Sequence, residues 1–204
     1  MSWNVPKIWN KETTCYVIGG GPSIKDTDLS VLKHQHVIAV NNAYQLTPWA
    51  DFMFFMDREW IHYHAEQLRK FHGVIVTILV EYHKYSKGLR GIKQLKRGPR
   101  DGFSIDNRKV NHGGNSGFCA INLANLLGAG RIILVGFDMR VVNGQHNYHS
   151  GHTREIADDI YENEYVKPFS TLIKPAEEKG IEILNATPNS ALKCFEFIEI
   201  GDTL

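Results

Sequence analysis

Three histidines stand three residues apart, His146, His149 and His152, in one polar loop from Gln145 to Thr153. Imidazole exchanges protons near neutrality with little tuning, so this loop is the first candidate for acid/base work. His152 is the sharpest of the three, because it follows Gly151 and precedes Thr153 at the entrance of a helix expected near Glu155. A zinc reading would want a carboxylate or cysteine beside the histidines, and the loop holds neither. Asp57 and Asp138 are single acids on separate strands, and no Asp-x-Asp pair stands directly beyond a strand, so no obligatory metal is expected.

A second cluster is suited to phosphate. The apolar run Tyr16-Val17-Ile18 ends in Gly19-Gly20-Gly21-Pro22-Ser23. Glycine lets a backbone come close to a ligand and proline stiffens the turn. Ile24 stands where a dinucleotide fingerprint needs its third glycine, and Ser23-Ile24-Lys25 is not a Walker sequence, so neither NAD nor ATP follows from the spacing. An ordinary tight turn is the plain alternative. Asn115-Ser116-Gly117 opens another apolar stretch, and a helix starting there would aim free N–H groups at an anion.

These groups need a scaffold, and the apolar runs supply one. Strands are expected at 14–19, 36–40, 51–56, 73–79, 131–138 and 181–184, with helices over about 26–33, 58–71, 118–127 and 155–179, the last interrupted near Pro168 and Pro175. Strands alternating with helices predict a single α/β domain with a mostly parallel, Rossmann-like sheet. Asn41, Asn42, Asp57 and Asp138 then fall just past strand carboxyl ends, the edge where open parallel sheets bind ligands. Residues 81–114 break the pattern. They carry nine basic side chains (Lys84, Lys87, Arg90, Lys93, Lys96, Arg97, Arg100, Arg108, Lys109) against Glu81, Asp101 and Asp106, and they read as an insertion or lid outside the sheet that draws an anionic acceptor.

Composition bounds the rest. The 204 residues are 43% apolar with a net charge of +1, enough for a core and with no global field toward nucleic acid or membrane. Cys15, Cys119 and Cys194 form no CxxC, the start lacks a signal-peptide core, and no run approaches a membrane span. A cytoplasmic protein is expected, and homo-oligomerisation is compatible with it.

The order of motifs resembles the bacterial lipooligosaccharide sialyltransferase family, whose members use CMP-sialic acid, a resemblance that extends to related phage-encoded proteins. The family's Gly-Asn-Gly-Pro-Ser-Leu is matched by Gly19 to Ile24, its Cys-Asn-Gln by Val40-Asn41-Asn42 and its Thr-Ser-Gly by Asn115-Ser116-Gly117. Its Gly-Ile-Asp-Phe-Tyr is matched by Gly136 to Arg140, its Tyr-Ile-Gly-His-Ser by His149 to Thr153 and its Pro-Asn-Ser-Leu by Pro188 to Ala191. The family's nucleotide-contacting loop asparagine is Gly20 here, and Arg140 and His149 replace the tyrosines that steady the departing phosphate.

The resemblance implies a glycosyltransferase with a nucleotide-sugar donor, CMP-sugar favoured, and no further cofactor. Gly19, Gly20, Gly21, Pro22 and Ser23 would pack on the nucleotide. Asn41 and Asn42 would read hydroxyls, Ser116 and Gly117 would meet phosphate, and Asp57 and Asp138 would flank the site. His152 would act as general base while His149 and Arg140 stabilise the leaving phosphate. Two alternatives stand beside it: a non-catalytic nucleotide- or sugar-binding module on the same fold, and diphosphate transfer of the pterin pyrophosphokinase kind, whose enzymes share Gly-x-Gly-Pro-Ser but lack the paired asparagines.

Overall fold

The computed structural model describes residues 2–149 and 159–204. Ten strands follow in chain order: β1 Thr14–Ile18, β2 His36–Val40, β3 Phe52–Phe55, β4 Val74–Thr77, β5 Lys93–Gln94, β6 Lys96–Arg97, β7 Lys109–Val110, β8 Arg131–Val135, β9 Glu182–Asn185 and β10 Glu196–Phe197. Among the described residues three α-helices accompany them, α1 Arg58–Leu68, α2 Ser116–Leu127 and α3 Ile173–Lys179. Eight strands form one sheet in the order β10-β9-β8-β1-β2-β3-β4-β5, and every pairing in it is parallel. This is the expected α/β, Rossmann-like architecture.

The central strands are near-continuous apolar runs because both faces of the sheet are covered. Alternation sends Cys15, Val17, Ile38, Phe54 and Leu134 to the face packed by α2. Tyr16, Ile18, Val37, Phe55 and Ile133 go to the face covered by α1 and the first crossovers. Helix α2 lies so deep that Phe118 through Ala124 are all buried. Asn115 caps its start by accepting from Phe118 N–H at 2.8 Å, and Gly128, at φ 107°, closes it.

Three expectations are corrected. The first crossover is not a regular helix but two 3₁₀ turns, Pro22–Asp26 and Leu29–Leu32, the second capped by Asp28, which accepts from Ser30 N–H. Pro22 starts the first turn, and a segment so short gains too few hydrogen bonds to offset α-helix nucleation. The expected helix over 155–179 is, in its described part, a π turn at Tyr161–Tyr165, a 3₁₀ stretch at Lys167–Leu172 and then α3. Pro168 and Pro175 remove two backbone donors over this span. The basic segment does not stay outside the sheet, since β5 extends it beside β4 and β6 pairs with β7.

That segment is tied to the core as well. Ile92, Leu95, Phe103 and Val110 are buried. Asn122 of α2 accepts from the N–H groups of Ser104 (2.8 Å) and Asn111 (3.3 Å) and donates to the Gly102 carbonyl. Its positive charge lies at the surface on an apolar base. Among the described residues no helix is long and apolar enough to cross a membrane.

Candidate functional site

Strand order places the site. The chain runs from β1 outward through β2 to β5, then returns to lay β8 on the other side of β1. The chain therefore leaves β1 and β8 toward opposite halves of the sheet, a topological switch point where open parallel sheets leave a crevice. A cleft of about 690 Å³ opens there, lined in its centre by Gly19, Gly20 and Gly21 from β1, Gly136 and Asp138 from β8, and Asn115, Ser116 and Gly117 from the start of α2.

Close backbone approach explains the glycines. Gly19 N–H donates to the Val135 carbonyl at 2.7 Å and Gly21 N–H to the Gly136 carbonyl at 2.8 Å, so the two loops are stitched together. A Cβ on Gly19 would lie 2.6 Å from the Gly136 oxygen. Gly136 itself turns with φ 71°, a left-handed conformation that favours glycine. Asp138 is buried, and its carboxylate accepts from Ser23 N–H at 3.2 Å and Ser23 hydroxyl at 2.7 Å. It thereby anchors the glycine loop from beneath.

The asparagines divide the labour. Asn41 lines the cleft in a left-handed conformation, φ 50°, which asparagine tolerates better than most residues. Asn42 does not line it. Its side-chain oxygen accepts from Trp60 Nε1 at 2.5 Å and its carbonyl from the Tyr148 hydroxyl at 2.7 Å, so it braces the walls. Met139, also on the cleft, sits at φ 49°, and left-handed backbone on non-glycine residues is stored strain of the kind that gathers at ligand sites.

Two buried polar atoms on cleft residues lack a hydrogen-bond partner among the described residues: Asn41 Oδ1, an acceptor, and Asn115 Nδ2, a donor. Such groups cost about 1–3 kcal/mol when left unmet, which marks the cleft as a candidate ligand site. Asp57 caps α1 by accepting from Trp60 N–H at 2.9 Å and lines the cleft beside Asn41.

Of the proton-transfer candidates, His146 and His149 line the cleft. His152 lies outside the described residues. Tyr148 N–H donates to the Gly20 carbonyl at 3.0 Å, drawing the histidine loop onto the glycine loop. Pro22, Ser23 and Arg140 line a neighbouring groove of about 590 Å³ that, among the described residues, shares only Asp138 with the cleft. Arg140 is thus across Asp138 from the glycines, not among them. From 81–114 only Gly114 lines the cleft.

The described structure adds residues that the spacing argument passed over. Tyr161 and Tyr165 line the wall facing the histidine loop. Tyr161 stacks on His146 at 5.6 Å between ring centroids and donates to the His146 carbonyl at 3.0 Å. Burial, helped by Tyr165 and Asp138, pushes its phenol up to about 12, so it stays a donor at neutral pH. Trp60, Tyr63 and His64 line the opposite wall. Their i, i+3, i+4 spacing directly after a strand-end aspartate was the available signal. Burial holds His64 below the ordinary histidine value. Among the described residues no three His, Cys, Asp or Glu side chains gather closely enough to hold a metal ion.

No family model and no curated protein matches the sequence. The fold is similar to a solved structure, the sialyltransferase CstII from Campylobacter jejuni in complex with a substrate analogue, cytidine-5'-monophosphate. The match has a TM-score of 0.55 and 15% sequence identity over 93% of this chain and 86% of that one.

Proposed function

We propose that this chain binds a nucleotide sugar, a CMP-sugar foremost, in the cleft at the β1–β8 switch point and transfers the sugar to an acceptor hydroxyl. The observation that carries the reading is the pair of unpartnered buried atoms, Asn41 Oδ1 and Asn115 Nδ2, on residues of one cleft floored by glycine turns. The fold likeness to a CMP-bound sialyltransferase supports the choice of nucleotide. The start of α2, with Ser116 and Gly117, presents N–H groups that lack intrahelical acceptors and suits a phosphate.

In this reading the acceptor oxygen attacks the anomeric carbon as the bond from that carbon to the phosphate oxygen breaks. The departing phosphate keeps the electron pair, and the hydroxyl proton passes to His152. Tyr165 and His149, which line the same cleft, are assigned to the leaving phosphate, a place for which the sequence favoured Arg140 and His149, while Tyr161, whose hydroxyl proton goes to the His146 carbonyl, braces the histidine loop. No step calls for a divalent ion, so turnover is expected to survive chelation. Calorimetry with CMP, UMP, ATP and NAD tests the nucleotide: CMP is expected to bind ahead of ATP and NAD, and ATP without CMP would favour the pyrophosphokinase alternative. His152→Ala tests the base, with an expected loss in turnover of roughly 10²-fold or more and nucleotide affinity unchanged. Full turnover in that variant would refute the mechanism.

A further inference from the structure

The cleft is polarised. At the start of α2 it offers donors, the Asn115 amide nitrogen and N–H groups that lack intrahelical acceptors, while the neighbouring Asp138 carboxylate from β8 is taken up by Ser23. Over β2 and β3 it offers acceptors, Asn41 Oδ1 and the Asp57 carboxylate. An anionic phosphate suits the first end and a group rich in O–H donors suits the second.

His64 belongs to the acceptor end, and its neighbours decide its tautomer. Gln45 Nε2 donates to Gln67 Oε1 at 2.9 Å, which marks that oxygen as an acceptor. The Tyr44 hydroxyl donates to the same oxygen at 2.8 Å. Its single proton is then used, so toward His64 Nδ1, 3.0 Å away, it can only accept. The imidazole therefore carries its proton on Nδ1 and leaves Nε2 as a bare acceptor. One ring face is covered by Trp60, stacked at 4.3 Å and 11°, and the Trp60 indole is pinned to Asn42. Tyr44 is buried and does not line the cleft while His64 does, so Nδ1 is taken up inside the wall and Nε2 is the ring nitrogen left for a partner on the cleft.

We infer that His64, set by the Tyr44–Gln67–Gln45 relay, is a specificity residue whose Nε2 accepts a hydrogen bond from a hydroxyl of the donor sugar, placing that sugar over β2 and β3 against α1. The inference rests on the nucleotide-sugar reading above. Burial disfavours the imidazolium, which would turn this acceptor into a donor.

The test compares CMP with CMP-sialic acid and UDP with UDP-glucose, by calorimetry on the wild-type chain, Tyr44→Phe and His64→Phe, alongside ¹⁵N NMR of the histidine rings. The Nδ1–H tautomer is expected for His64 in the wild-type chain. The parent nucleotides should bind all three proteins equally. The extra affinity conferred by the sugar should fall roughly fivefold in His64→Phe, the value of one neutral hydrogen bond, and measurably in Tyr44→Phe, whose histidine ring is intact but free to change tautomer. An Nε2–H tautomer, an unchanged sugar increment, or equal losses for parent and sugar nucleotide would each overturn the role of His64 alone. Failure of every nucleotide to bind the wild-type chain would refute the nucleotide-sugar reading and this role with it.

Discussion

Gly21→Ala isolates the contact on which the glycine loop depends. Gly21 has φ −67° and ψ 158°, which any residue adopts, so backbone freedom is not why glycine stands here. Space is the reason: an added Cβ would overlap Asp138 Oδ2 and lie 2.7 Å from the Gly136 oxygen. Relief requires Asp138 to swing away, losing its bonds from Ser23 N–H and hydroxyl, or the loop to lift off Gly136, losing the 2.8 Å Gly21 bond. Each route strands buried polar groups at about 1–3 kcal/mol apiece, so a loss near 2–4 kcal/mol is expected. For a chain of this length that is a fall of roughly 5–15 °C in Tm. Gly20→Ala is the matched control, since among the described residues its Cβ would meet only Asn147 at 3.6 Å and Tyr148 at 4.0 Å. Thermal denaturation followed by circular dichroism reads both variants. If Gly21→Ala melts with the wild-type chain, or if Gly20→Ala falls as far, the account of Asp138 as the loop's anchor is wrong.

Asn115→Ala should lower stability by about 1 kcal/mol through loss of the α2 cap and weaken CMP binding in calorimetry, whereas Asn115→Asp should keep the cap. Trp60→Phe keeps the stack but removes the donor to Asn42, which leaves a buried oxygen unmet, and chemical denaturation should show a loss of about 1–3 kcal/mol. His64 and His112 are both held below the ordinary value of 6.5, chiefly by burial, with Arg97 and Arg100 adding to it at His112. The unfolded chain therefore takes up protons first, so stability should hold above about pH 6.5 and fall as pH drops below it. Denaturant midpoints at pH 7.5 and 5.5 check the sign, and the difference should shrink in His64→Gln combined with His112→Asn. Arg100 pairs with Glu164 at 3.0 Å on the surface, so Arg100→Ala should cost at most about 1 kcal/mol in the same titrations.

Much of the scaffold was legible in the sequence because a doubly covered parallel sheet writes itself as short, dense apolar runs. Thr14–Ile18, His36–Val40 and Arg131–Val135 read directly, as did the helix between Asn115 and Gly128. The two glycine turns were each legible as suited to a phosphate, and both line one cleft. The segments rich in proline and glycine were not, because their conformation is decided by what they pack on. Phe103 and Val110 turn a stretch that looks like a solvated basic loop into one rooted on α2.

Within the site, residue types at strand ends announced where polar chemistry would lie, since burial on both faces of the sheet leaves the strand ends for Asn41, Asp57 and Asp138. The apolar runs and their punctuation were enough to specify the parallel α/β sheet, the carboxyl edge where polar residues gather and the two turns suited to a phosphate. Which neighbours share the cleft was settled only by the packing of distant elements. Asn41 and Asn42 are adjacent in sequence, yet one lines the cavity and the other braces Trp60 and Tyr148. Arg140 follows Asp138 by two residues, yet it lines another groove, because Asp138 turns inward to hold Ser23. His64 and Tyr161, nearly a hundred positions apart, meet across one cleft. Local pattern reports burial and backbone preference, but side-chain partnership depends on crossovers that bring distant elements together, and no spacing along the chain encodes it.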